Sequence, residues 1–163
     1  MNPAGLNVTT PTDTTIVMTR AFNAPRRLVW EAMTDPAQLR RWMFAPPGWV
    51  MTVCEFEPRV GDGYKWVWKN QHADPAMTIH GTITEVVLHE RIVHTQVMEM
   101  GQCGPMAEFS VILEFTEKHG NTRMRLTLAF GSKDARDDAL KWGMEHGMEA
   151  GYKQLDTMLS QLA

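Results

Sequence analysis

The sequence predicts an α+β fold, an antiparallel sheet covered on one face by a long C-terminal helix, and three observations carry it. Between Trp49 and Phe130 apolar residues recur with a period of two, in short segments separated by turn signals, which is the pattern of strands. From Ser132 to Leu162 the period changes: Leu140, Met144, Met148, Tyr152, Leu155, Leu159 and Leu162 fall at three- and four-residue steps, one stripe of an amphipathic helix. The connections between strands are too short for parallel crossovers, so neighbours in sequence should pair as an antiparallel meander whose one face needs a cover.

Taken in order, residues 1–13 are rich in Thr, Pro and Asn and read as a frayed, disordered tail, leaving residues 14–163 as one domain. Thr15–Phe22 alternates and carries β-branched residues, a first strand that Asn23-Ala24-Pro25 stops. Pro25 suits the opening of a helix with Leu28, Val29, Ala32 and Met33 on its apolar face. Asp35-Pro36 starts a second short helix carrying Leu39 and Trp42, and Ala45-Pro46-Pro47-Gly48 closes the pair. Six strands follow, over Val50–Glu57, Tyr64–Lys69, Met77–Val87, Arg91–Met98, Ala107–Thr116 and Arg123–Phe130. The last helix has Ser132 as its N-cap, acidic Asp134, Asp137 and Asp138 in its first turns and no proline. Uninterrupted, it would run roughly 40 Å. Gly143, Gly147 and Gly151 recur along it, each costing about 1 kcal/mol against alanine, so a close strand, a bend or a second chain should compensate.

Composition narrows the function classes. A chain of 163 residues with 44% hydrophobic content suits one globular domain. The formal charge of −3 and pI near 6.1, without a Lys/Arg run, exclude a nucleic-acid partner. No stretch approaches a membrane span and the N-terminus lacks a signal-peptide pattern, so a cytoplasmic protein with no membrane partner is expected. Cys54 and Cys103 read as free thiols. Thirteen methionines and six tryptophans exceed what a minimal core needs and hint at an adaptable cavity.

The order of several motifs resembles the START-like, or Bet v 1-like, superfamily (SRPBCC), and within it bacterial proteins related to the C-terminal domain of the Hsp90 ATPase activator. The residues are Phe22-Asn23-Ala24-Pro25 with Val29-Trp30 and Ala32; Thr34-Asp35-Pro36 with Leu39 and Trp42; Arg59-Val60-Gly61 with Tyr64; Gly81 with Glu85-Val86; Arg91-Ile92-Val93 with Thr95; Thr122 with Leu126; and Gly151-Tyr152 with Leu155. The resemblance implies a helix-grip fold, about seven curved antiparallel strands around the C-terminal helix, with a cavity for apolar or amphipathic ligands between them. Three positions depart from the family pattern: Gly61-Asp62 for Gly-Gly, Gly151-Tyr152 for Gly-Trp, and Gln96 where tryptophan is common. The last two make the interior more polar.

A tight turn at Leu88-His89 places Ile83 opposite His94 and Gly81 opposite Gln96, so Ile79, Ile83, Ile92, His94, Gln96 and Met98 share the interior face. His80 then points the other way and shares no metal with His94. His94 is either a general base or, the preferred reading, a core histidine bonded to a neighbour. Glu85 is either an inward acid near the narrow end or, again preferred, a solvated or paired carboxylate. Tyr64, Trp66 and Trp68 alternate on one strand face as a cavity wall or as packing under the helix. Trp42 and Phe44 lie where the short helices close the mouth, either against a ligand or as a hydrophobic plug, and Met144, Met148 and Tyr152 are the helix strip expected to face the ligand.

Hydrolase elbows, phosphate-binding loops and Cys-x-x-Cys pairs are absent, and His119 and His146 lack ligand-spaced companions, so no metal or cofactor is expected. The leading expectation is a binding module for a small hydrophobic or amphipathic molecule, oriented by Tyr152, Gln96 and His94. The alternative is a metal-free cyclase- or lyase-like enzyme using His94 with Tyr152 or Glu85 as proton carriers. A third reading, implied by the resemblance alone, is an interaction protein acting as a chaperone partner or a homodimer.

Overall fold

The computed structural model describes residues 5–43, 48–70, 76–101 and 104–162. Twelve elements follow one another: β1 (Asn7–Thr9), β2 (Thr15–Phe22), α1 (Arg26–Thr34), α2 (Pro36–Trp42), β3 (Trp49–Glu55), β4 (Gly63–Asn70), β5 (Met77–Val87), β6 (Arg91–Met100), β7 (Phe109–Lys118), β8 (Asn121–Ala129), α3 (Lys133–Lys141) and α4 (Met144–Leu162). The strands form one curved antiparallel sheet in the order β1-β2-β8-β7-β6-β5-β4-β3. β3 to β8 are the expected meander, and β2 returns to pair with β8 from Thr15↔Ala129 to Phe22↔Thr122. This is the helix-grip arrangement, with eight strands rather than about seven.

The added strand lies in the segment expected to be frayed. Val8 pairs with Met18, and Leu6 and Val8 pack against a core cluster of Ile16, Met18, Phe109, Val111, Leu126, Leu128 and Ala139. Burying those two aliphatic side chains offsets the entropy of ordering the segment.

The C-terminal helix is two helices. Ser132 does cap the first, accepting from the Ala135 amide at 3.1 Å. That helix ends at Trp142, whose amide donates to the Asp138 carbonyl, and Gly143 follows with φ +70°, its amide reaching the Leu140 carbonyl at 3.2 Å. A residue in the left-handed region just past a helix C-terminus closes the last carbonyls, and glycine adopts it without a Cβ clash. The single rod of roughly 40 Å is therefore corrected to α3 plus an α4 of roughly 28 Å. Of the glycine row, Gly143 is the break and Gly151 is buried.

The short helices close one end of the grip. Asp35 caps α2 through the Ala37 amide at 3.1 Å, with Pro36 at the first turn. The Trp42 indole donates to the Ala32 carbonyl at 2.8 Å, fixing α2 on α1. Trp30 meets Phe115 edge-on, and Val29, Ile83, Ile92, Met124 and Leu155 fill the space between.

The β5–β6 register sets which side chains face inward. Ile79 pairs with Met98 and Ile83 with His94, as the alternation requires. The turn itself is one residue longer than expected, with Val87 opposite Arg91 and His89 at φ 64°. A bulge at Thr84 absorbs that residue, so the two irregularities cancel before Ile83.

Candidate functional site

The candidate site is the inner face of β4, β5 and β6, whose Tyr64, Trp68, Ile79, Ile83 and Ile92 share one core cluster with Tyr152 and Leu155 of α4. Tyr64, Trp66 and Trp68 share the inner face of β4 because they alternate with the outward Lys65, Val67 and Lys69. Gly81 lies opposite Tyr64, and a Cβ there would sit 2.0 Å from the Thr95 carbonyl oxygen and 2.9 Å from the Tyr64 ring. That vacancy lets the Tyr64 hydroxyl cross to the Thr95 carbonyl at 2.7 Å. The ladder is interrupted at this point, and the Thr82 amide donates to Thr95 Oγ1 at 3.0 Å instead.

His94 is buried against the Tyr64 ring, centroids 4.7 Å apart, with Nδ1 3.0 Å from the same Thr95 carbonyl. Because a carbonyl only accepts, Nδ1 carries the proton and Nε2 is left as an acceptor. Burial, against the opposing hydrogen bond, holds the His94 pKa below its ordinary value. The imidazole and the phenol together brace the strand bend. Burial likewise pushes the Tyr64 phenol far above its usual range.

Trp66, Gln96 and Met98 are half-buried, as is Met148 of α4, which packs with Trp66 and Met98 against the same core cluster, whereas Tyr64, Ile83 and Ile92 are buried. Gln96 Oε1 lies 3.5 Å from the Tyr64 hydroxyl. The Trp66 and Trp68 Nε1 atoms are shielded from solvent and have no hydrogen-bond partner among the described residues.

Other predicted residues fall elsewhere. Glu85 sits after the Thr84 bulge, opposite Val93 on the outer face and ion-paired with Arg91, the paired carboxylate of the preferred reading. His80 is outward, 3.3 Å from Glu99. Trp42 is buried and stacked on Tyr152 at 5.7 Å, and Phe22 meets Tyr152 edge-on, so these rings pack under α4 at the closed end. Met144 opens α4 half-buried beside the second core cluster. Phe44 and Cys103 lie outside the described residues. Tyr152 is buried, and desolvation raises its pKa well above the usual phenol value.

The sequence reading missed Arg20. It is 2% exposed on the inner face of β2, donating from Nε and Nη2 to Glu149 Oε1 at 3.1 and 2.8 Å, and from Nη1 and Nη2 to Asp156 at 2.9 and 2.8 Å. Glu149 also accepts from the Leu6 amide, tying the N-terminal segment to the helix. A buried guanidinium needs such pairing. The signal was there: Arg20 falls in phase with Ile16, Met18 and Phe22, and Glu149 and Asp156 flank Tyr152 by three and four residues.

Among the described residues no group of three or more His, Cys, Asp or Glu side chains could hold a metal ion, and no helix is long and apolar enough to cross a membrane. The site therefore offers apolar surface, a few uncharged donors and one imidazole acceptor.

Comparison with known proteins agrees with the fold. A Rhodobacter sphaeroides protein superposes with a TM-score of 0.85 at 28% identity, covering 97% of this chain and 99% of its own. A Mycobacterium smegmatis protein gives 0.80 at 24% identity over 94% and 95%, and one from Nitrosomonas europaea 0.78 at 20% over 93% and 97%. No curated protein matches the chain. A family model described as Activator of Hsp90 ATPase homolog 1-like protein matches residues 23–160. With that span covering both short helices, the strands from β3 onward and nearly all of α4, the chain belongs to the Activator of Hsp90 ATPase homolog 1-like family.

Proposed function

We propose that the chain is a binding module that takes a small apolar or amphipathic molecule between α4 and the inner face of β4 to β6. The observation that carries this reading is the contrast along one face: Trp66, Gln96, Met98 and Met148 stay partly accessible while Ile83 and Ile92 beside them are buried. Methionine is unbranched and polarizable, so a wall containing Met98 and Met148 adapts to the shape of its guest. Affinity then comes mainly from apolar burial, at about 25 cal/mol per Å² before ordering costs. Acid–base chemistry receives less support, since the His94 Nδ1 proton is held by Thr95 and burial makes both Tyr64 and Tyr152 weak acids.

The test is titration with N-phenyl-1-naphthylamine, an uncharged probe whose emission rises in apolar surroundings. Saturable binding is expected, weakened at least tenfold by Met98→Trp, which fills the space. Absence of binding, or unchanged binding to Met98→Trp, overturns the reading.

A further inference from the structure

Resting on that reading, we propose that the space between α4 and β4 to β6 selects an uncharged molecule bearing hydrogen-bond acceptors, a ketone, ester or ether oxygen, over carboxylates, amines and plain hydrocarbons.

The donors come first. Trp66 and Trp68 stand two residues apart on one face of β4. Both are buried and unpartnered among the described residues. An indole donates and never accepts, so only an acceptor satisfies it. Native interiors leave few such groups unpaired, because each costs about 1–3 kcal/mol. At the closed end, by contrast, the Trp42 indole has its acceptor in the Ala32 carbonyl at 2.8 Å. Gln96, half-buried on the neighbouring inner face of β6, adds an amide whose Nε2 makes no hydrogen bond among the described residues.

Charge comes second. The buried charged side chains among the described residues are Arg20 and Arg136. Arg20 gives Nε, Nη1 and Nη2 to Glu149 and Asp156, and Arg136 gives Nε and Nη2 to Asp137 and Nη1 to the Thr12 carbonyl. A carboxylate entering the space would lose its water and find both buried guanidinium groups of the described residues already paired, and an ammonium would find no buried carboxylate among them. A hydrocarbon would avoid both penalties but leave the indoles unpaired. An uncharged molecule with acceptor oxygens can pair with the indoles and brings no charge into the space.

The experiment compares 2-acetonaphthone, 2-naphthoate and 2-ethylnaphthalene at pH 8 as competitors of N-phenyl-1-naphthylamine. The ketone should compete at least tenfold better than either of the others. The indole ¹H–¹⁵N resonances of Trp66 and Trp68 should move with the ketone and stay in place with the hydrocarbon. Trp66→Phe or Trp68→Phe should weaken the ketone about tenfold, the order expected for one buried hydrogen bond, and leave ethylnaphthalene within about twofold. Equal competition by ketone and hydrocarbon, tighter competition by naphthoate, or indole resonances that stay fixed at saturating ketone would each overturn the proposal while the binding module stands. The resonance measurement needs no variant, so a failure of either substitution to fold leaves the test intact. If the fluorescent probe itself does not bind, the proposed function falls and this selectivity with it.

Discussion

The two ends of the interior share one sheet face and one helix, yet they are built to different standards. At the end capped by α1 and α2, Val29, Ile83, Ile92, Met124 and Leu155 are at most 1% exposed. Thr122 Oγ1 donates there to the Ala24 carbonyl and Thr34 Oγ1 to the Trp30 carbonyl, while Gln38 Oε1 on α2 is shielded from solvent without a partner among the described residues. At the other end Trp66, Gln96, Met98 and Met148 keep partial exposure, and two indoles lack partners. Close packing is what stability selects, so the less buried end is the one that the proposed binding reading assigns to a guest. The brace of Tyr64, Gly81, His94 and Thr95 stands between them.

The largest effect should come from breaking that brace. Gly81→Ala sets a Cβ 2.0 Å from a backbone oxygen, which no rotamer change relieves, and it displaces the Tyr64 ring. A loss of about 4 kcal/mol in denaturant unfolding is expected, and a loss below about 1 kcal/mol would show that the sheet bends freely there. Next comes the direct contrast between ends. Ile83→Ala should cost about 3–4 kcal/mol, because the closed end has no room to collapse, and Met98→Ala about 1 kcal/mol or less. Equal costs would erase the distinction. The smallest effect is the acid dependence of His94. Its folded pKa lies below the unfolded value of about 6.5, so the unfolded state binds the extra proton first. Stability is then full above about pH 6.5 and falls as pH drops toward the folded pKa, with a limiting slope of about 1.4 kcal/mol per pH unit. Denaturant midpoints between pH 5 and 8 should show this slope, and His94→Gln should flatten it.

Much of the fold was legible because periodicity is a local property. The alternation of β4 to β8, the Asp35-Pro36 start of α2, the Ser132 cap and the Ile83–His94 register all follow from neighbours along the chain. What was missed depends on contacts between distant segments or on a single irregular residue. The apolar stripe runs through Gly143 without interruption, so nothing in the period announces a break there. β1 is three residues in a Thr-rich segment and exists because β2 presents an edge and a core for Leu6 and Val8. Within the candidate site, the facing of Trp66, Gln96 and Met98 could be read from alternation. That the Trp42 indole finds a carbonyl while those of Trp66 and Trp68 do not is set by how helices and sheet meet, and no spacing encodes it.

The pairing of β2 with β8 has a consequence during synthesis. β2 leaves the ribosome early, but its partner strand follows only after β3 to β7, and the carboxylates that hold Arg20 follow later still. At about 5–20 residues per second, that is a wait of many seconds for a strand carrying Ile16, Val17, Met18 and Phe22. A charge within an apolar strand disfavours association with other chains. Before α4 exists, Arg20 is the residue that keeps the nascent β2 from pairing with a neighbour, and afterwards the same guanidinium fastens the helix onto the sheet.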